Sequence, residues 1–156
     1  HDPRDVLRLL EALRTDAADM VQGSRYVEGG GVHGMAFLRR LSSRMANLLY
    51  HWCAGAPHES TTNFRVFSRP AATLVLARAQ GRDFEFVPEA MLLLLAAGLR
   101  VDEVPILFRG RLRGSSKLGA KQALKGVAFF FGATLQYRLH LGRFARRPFT
   151  GENVVQ

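Results

Sequence analysis

Along the 156 residues, apolar runs of helical period alternate with short extended runs, and this alternation constrains the fold more than any other feature. Asp2 stands as an N-cap and Pro3 at the first helical position, after which Val6, Leu9, Leu10 and Leu13 recur at helical spacing. Residues 18–27 read as a short strand broken by Gly23, and residues 28–34, four of them glycine, as a flexible loop. Residues 35–55 read as a long helix closed by Gly55, with Leu38, Leu41, Met45, Leu48, Leu49 and Trp52 on one face. Residues 56–70 are a polar loop and a short strand, and 70–80 are helical. Residues 83–98 start extended and become a strongly apolar helix ended by Gly98. Residues 99–108 form a strand, with Pro105 marking an edge or a strand end. Residues 120–147 are a helix or a broken pair of helices, apolar first and basic afterwards, before a loose tail. Helices alternating with strands, without a repeat or low-complexity linker, indicate α/β.

Charge narrows the function. The chain carries a net charge of +9 and has a pI of about 11.0, which selects anionic partners: phosphates, nucleic acid or an acidic membrane surface. An apolar content of 47% argues against disorder. The single cysteine, Cys53, excludes an internal disulfide and a cysteine-only metal cage, and fits a reducing compartment. His51, Cys53 and His58 match no standard zinc spacing. No apolar run reaches the roughly 18–20 residues of a membrane span, and no signal peptide is visible.

The cations cluster most densely in "EVPILFRGRLRGSSKLG" (103–119), where an apolar strand runs into a glycine-punctuated loop bearing Arg109, Arg111, Arg113 and Lys117. Like charges packed so closely repel unless an anion sits among them. The glycines let a ligand approach the backbone, and Ser115 and Ser116 can donate to phosphate oxygens. The order is not that of a P-loop, since Gly114 is followed by Ser-Ser-Lys. Phosphate binding and a solvated basic turn are the two readings. Arg25 in "GSRY" stands at a strand end, where ligands gather in open α/β sheets, or pairs with a surface carboxylate. Arg39, Arg40 and Ser43 lie on a polar helix face, or Arg39 points at an anion. "ESTTNFR" (59–65) supplies turn and cap formers, Glu59 and Thr61 among them. Glu85 and Glu89 are not a catalytic pair, because Pro88 disfavours helix across 85–87. In "ALKGVAFFFGATLQYRLHLGRFARR", phenylalanines precede Arg138, Arg143, Arg146 and Arg147, which suits either a helix in a membrane headgroup layer or a core helix with a basic end.

The motifs "HDP", "GSRYVEGGG", "RRLSSRMAN", "STTNFRVF", "FEFVPEAML" and "EVPILFRGRLRGSSKLG" stand in one order. In that order the chain resembles the C-terminal half of a glycosyltransferase family 2 enzyme, and within that family the dolichol-phosphate and polyprenyl-phosphate mannosyltransferases. The resemblance covers roughly residues 1–120. It implies the C-terminal half of a GT-A fold over residues 1–119, followed by a membrane-interface amphipathic helix and loose tail over 120–156. The implied reaction passes a hexose, mannose first, from a nucleotide sugar such as GDP-mannose to a polyprenyl or dolichyl phosphate. It proceeds with inversion, with Mg2+ or Mn2+, at the cytoplasmic face of a membrane to which the protein is peripheral.

The family's metal-holding Asp-x-Asp precedes the His-x-Pro that is His1-Asp2-Pro3 here. The chain is therefore expected to be a fragment that lacks its metal ligands and does not turn over alone, and none of its residues is assigned a catalytic or metal-binding role. By the resemblance, Arg25 and Arg39 contact acceptor phosphate, with the register between Arg39 and Arg40 open by one residue. Arg111 and Lys117 match "R-x-x-G-x-S-K" and, with Ser116, close over the phosphates. Glu59, Thr61 and Glu89 are candidate substrate-site residues; Glu59 stands where the family commonly has Asp, and Asn63 where Gly is usual.

A phosphate monoester carries about −1.5 to −2 charges near neutrality, so the nucleophile is already ionised and bringing two anions together is the harder task. The competing readings are a non-catalytic module for acidic lipid or nucleic acid, and a decayed fragment without activity. The aromatics argue against nucleic acid, because most lie in apolar segments rather than among cations on a stacking platform.

Overall fold

Residues 2–110 and 120–145 are described by the computed structural model. The first helix, α1 (Arg4–Thr15), begins where its spacing predicts. Asp2 Oδ1 accepts from the Arg4 N–H (2.9 Å), and the Asp2 carbonyl accepts from the Asp5 N–H (3.1 Å). Pro3 sits between them in helical dihedrals, where a missing N–H costs nothing. Leu9 is buried under the sheet, whereas Leu7 and Leu10 stay exposed.

β1 (Met20–Ser24) is the central strand of a three-stranded sheet. It pairs antiparallel with β3 (Arg65–Phe67) and parallel with β4 (Val101–Pro105). Its pleat feeds two cores. Val21 joins Leu9, Ala18 and Ile106 beneath α1, while Met20 joins the larger core on the opposite face. Gly23 does not break this strand, contrary to the sequence expectation. A Cβ there would come within 2.7 Å of Ile106 Cδ1 and 2.8 Å of Phe64 Cδ1, so the glycine admits the side chains that cover it.

Two further expectations are corrected. Within the glycine-rich 28–34 segment, Gly31–His33 form a strand (β2), paired in parallel with β5 (Leu107–Arg109). The single strand expected over 99–108 is two, because β4 ends at Pro105 and the chain crosses to the second sheet through Ile106. The Ile106 N–H donates to the Ser24 carbonyl (2.9 Å), and its own carbonyl accepts from the Gly31 N–H (3.0 Å).

α2 (Phe37–Ala54) ends at Gly55, whose φ of +66° supplies the left-handed cap a glycine tolerates best. The predicted apolar stripe is present but faces outward: Leu38 and Trp52 are each 76% exposed, and Leu41, Met45, Leu48 and Leu49 are exposed as well. The inward row is Ser43, Asn47, Tyr50 and Ala54, and its last three residues are buried. α3 (Arg69–Arg78) is capped by the Ser68 hydroxyl, which accepts from the Ala71 N–H.

α4 (Phe86–Ala96) buries every residue from Val87 to Leu94. Each large apolar side chain so buried is worth about 1.5–3 kcal/mol, which makes this helix the centre of the larger core. Residues 83–85 are a turn rather than an extended entry, and Pro88 is accommodated in the helix's first turn, where N–H groups lack intrahelical partners anyway.

α5 (Ala120–Arg138) and a 3₁₀ turn (Gly142–Phe144) close the described chain. Phe130 meets Tyr50 of α2 edge-to-face at 4.8 Å, and Phe144 is wholly buried, so this segment shares the larger core. Val127, Phe131 and Leu135 point outward along one row of α5. Among the described residues no helix is long and apolar enough to cross a membrane.

Candidate phosphate-binding site

The chemistry gathers where β1 ends. Arg25 follows the last residue of β1, and the 59–63 loop crosses its path just before β3. Glu59 meets Arg25 side-on: Arg25 Nε donates to Oε2 (2.6 Å) and Nη2 to Oε1 (2.8 Å). Such a two-pronged pair fixes orientation as well as distance. Arg25 Nη2 also reaches the hydroxyls of Thr61 (3.0 Å) and Ser43 (3.3 Å), and the guanidinium lies over the rings of Tyr26 (5.2 Å) and Phe108 (5.7 Å).

Glu59 is fully buried yet well supplied with donors. Besides Arg25, its Oε1 accepts from Asn47 Nδ2 (3.1 Å), the Thr61 N–H (3.1 Å) and the Thr61 hydroxyl (2.7 Å). Because Thr61 gives its proton to Glu59, the 3.0 Å contact between the Thr61 and Ser43 hydroxyls is donated by Ser43. Burial alone pushes the Glu59 carboxyl up, but the bond and charge of Arg25, with bonds from Thr61 and Asn47, hold it below the usual carboxylate range. Burial likewise works against the Arg25 cation, and Glu59 outweighs it, so Arg25 holds its proton more tightly than usual.

A second row of buried polar groups holds the loop. The Gln22 side-chain amide donates to the Glu59 carbonyl, and Gln22 Oε1 accepts from Arg65 Nε (3.1 Å). Arg65 also donates to the carbonyls of Val87 (2.5 Å) and Ser60 (3.3 Å). Burial pushes the Arg65 pKa down to about 10, partly offset by the charges of Glu59 and Glu103, which leaves it a cation at neutral pH. Asn47 Oδ1 accepts from the Ser60 N–H (2.8 Å), and the Glu103 carboxylate accepts from the N–H groups of His58 and Glu59 (2.9 Å each).

Of the residues singled out in the sequence, the structure brings Arg25, Glu59 and Thr61 together with Ser43. Arg25 does pair with a carboxylate, as the alternative reading expects, but the partner is the buried Glu59 rather than a surface group. Arg39 and Arg40 are exposed and flank the Ser43 row one turn earlier on α2. Glu89 lies elsewhere. It is fully buried, accepts from the N–H groups of Gln80 and Gly81, and pairs with Arg143 at 2.5 Å, so its carboxylate is engaged as an anchor between α4 and the 3₁₀ turn. Arg109 lines a separate hollow with Asp2, Asp5 and Arg8. Arg111, Ser116 and Lys117 lie outside the described residues. Sequence reasoning missed Asn47, Gln22 and Arg65 altogether. The available signals were a glutamine directly after the apolar Met20 and Val21 of the strand and an asparagine one helical turn after Ser43.

Among the described residues no three His, Cys, Asp or Glu side chains form a group that could hold a metal.

Fold and site together define a mixed α/β protein that fixes a buried arginine–carboxylate pair at the end of its central strand, beneath a helix with an apolar outer face. No family model matches the chain. It is 32% identical over 120 residues to the polyprenol monophosphomannose synthase of Mycolicibacterium smegmatis, a match covering 76% of this chain and 45% of that protein. It is 26% identical over 107 residues to an uncharacterized protein of Methanocaldococcus jannaschii, covering 68% of this chain and 44% of that protein. The chain thus spans less than half the length of these curated relatives. The first match supports a relationship to polyprenyl-phosphate mannosyltransferase-like proteins.

Proposed function

We propose that the protein serves transfer of a hexose, mannose first, from a nucleotide sugar such as GDP-mannose to a polyprenyl or dolichyl phosphate, with inversion, at a membrane surface. The observation that carries this reading is the placement of Arg25. Its guanidinium is immobilised at the end of the central strand with the hydroxyls of Ser43 and Thr61 beside it. The exposed Arg39 and Arg40 stand one turn along the same helix. These cations offset the charge of the lipid phosphate and hold its oxygen toward the anomeric carbon of the donor. Arg111 and Lys117, which follow β5 in the sequence, add two cations, and Ser116 adds a hydroxyl donor. The Mg2+ or Mn2+ that the resemblance implies would supply charge neutralisation to the leaving diphosphate.

The outward apolar rows of α2 and α5 support membrane attachment. Leu38, Leu41, Met45, Leu48 and Trp52 on α2, with Phe131 and Leu135 on α5, meet the acyl boundary, while Arg39, Arg40 and Arg44 meet anionic headgroups. The lipid phosphate then arrives at the level of the Ser43 row. The test is transfer of radiolabelled mannose from GDP-mannose into the lipid extract of membranes carrying the full-length protein and supplied with a polyprenyl phosphate. Labelled lipid that disappears in Arg25→Ala supports the reading. Absence of labelled lipid from GDP-mannose and from other nucleotide hexoses overturns it.

A further inference from the structure

We infer that Glu59, held by Asn47, is a positioning residue whose carboxylate aims Arg25 at the acceptor phosphate; this rests on the phosphate-binding role proposed above for Arg25. Glu59 takes one side of the guanidinium in a two-pronged grip, and the rings of Tyr26 and Phe108 limit its tilt. Asn47 ties the Glu59 carboxylate and the Ser60 N–H to the inner face of α2, so the carboxylate moves only with that helix. The hydroxyl protons of Thr61 and Ser43 are directed inward along the same network. Five donors on one buried carboxylate exceed what neutralising one arginine requires, and they leave it little freedom to swing aside.

Two roles for Glu59 make opposite predictions. If it is only a counter-ion, removing its charge frees Arg25 and strengthens anion binding. If it positions Arg25, removing its charge releases the guanidinium into other rotamers and weakens binding. The experiment titrates the full chain with farnesyl monophosphate, followed by 31P NMR, for wild type, Glu59→Gln, Asn47→Ala and the milder Thr61→Val. Circular dichroism reports folding of each variant.

Positioning predicts that Glu59→Gln binds roughly tenfold or more weakly, the scale of one hydrogen bond to a charged group. Asn47→Ala follows it without any change of charge, and Thr61→Val loses a smaller factor. Equal or tighter binding by folded Glu59→Gln overturns the positioning role and leaves the phosphate-binding reading standing. If Glu59→Gln does not fold, unchanged affinity in both Asn47→Ala and Thr61→Val overturns it instead. Failure of wild type to bind the probe overturns the phosphate-binding reading itself, and the positioning role with it.

Discussion

Among the described residues two glutamates are wholly buried, and each is paired with an arginine, yet they hold different things. Glu59 joins the end of the central strand to α2 and to the loop before β3, with hydroxyls and an arginine grouped around it. Glu89 joins the first turn of α4 to the backbone at Gln80 and Gly81 and to Arg143 of the 3₁₀ turn. The first pair lies among groups suited to a phosphate; the second clasps two parts of the apolar core. A buried ion pair is therefore no functional signal by itself, and what surrounds the pair distinguishes the two.

The contrast can be broken most forcefully at Glu59. Glu59→Ala leaves a nearly buried guanidinium unpaired and is expected to cost about 3–5 kcal/mol in urea denaturation. A loss below about 1 kcal/mol would make the pair incidental. Arg143→Ala strips the cation from Glu89 but leaves two backbone donors, so a loss of about 2–3 kcal/mol is expected. Binding of farnesyl monophosphate should survive that change, and its loss would show that the two pairs are not separable.

Acid sharpens the comparison further. The carboxyl of Glu59 is depressed in the folded protein, so the unfolded chain takes up its proton first as pH falls. The stability it contributes is present above the ordinary glutamate range and is lost as pH drops through the lower, folded value. Glu59→Gln should flatten the acid limb of the stability profile, measured by urea melts in the range from about pH 6 to pH 3. The smallest effect on stability is expected at the outer face of α2: Trp52→Ser should change it by no more than about 0.5 kcal/mol. The same variant should bind vesicles containing anionic lipid several-fold more weakly in a flotation assay, and undiminished flotation would remove α2 from the membrane contact.

The helices were largely legible in the sequence because their caps and periods are local. Asp2, Gly55 and Gly98 mark ends the structure respects. The direction of α2 was not legible. Its apolar stripe and the run in α4 look alike as compositions, but α4 is enclosed by α3, α5 and the sheet, whereas the stripe of α2 has the solvent side. Periodicity fixes which residues share a face and leaves open what that face meets.

The glycine-rich strand β2 was hidden for a related reason: its pairing with β5 is a long-range contact, and Val32 is its only good strand former. At the site, Arg25 and Glu59 stood out individually as ionisable groups. Their mutual pairing depends on bringing residues 34 positions apart to one point, which no local pattern encodes.

The crossing at Ile106 has a mechanical consequence. One residue's N–H is fastened to Ser24 and its carbonyl to Gly31, so it acts as a rivet through both sheets. Ser24 precedes Arg25, and Phe108, whose ring covers that arginine, lies two residues beyond the rivet. The aromatic cover and the cation are therefore both placed by one backbone crossing, on either side of the same residue.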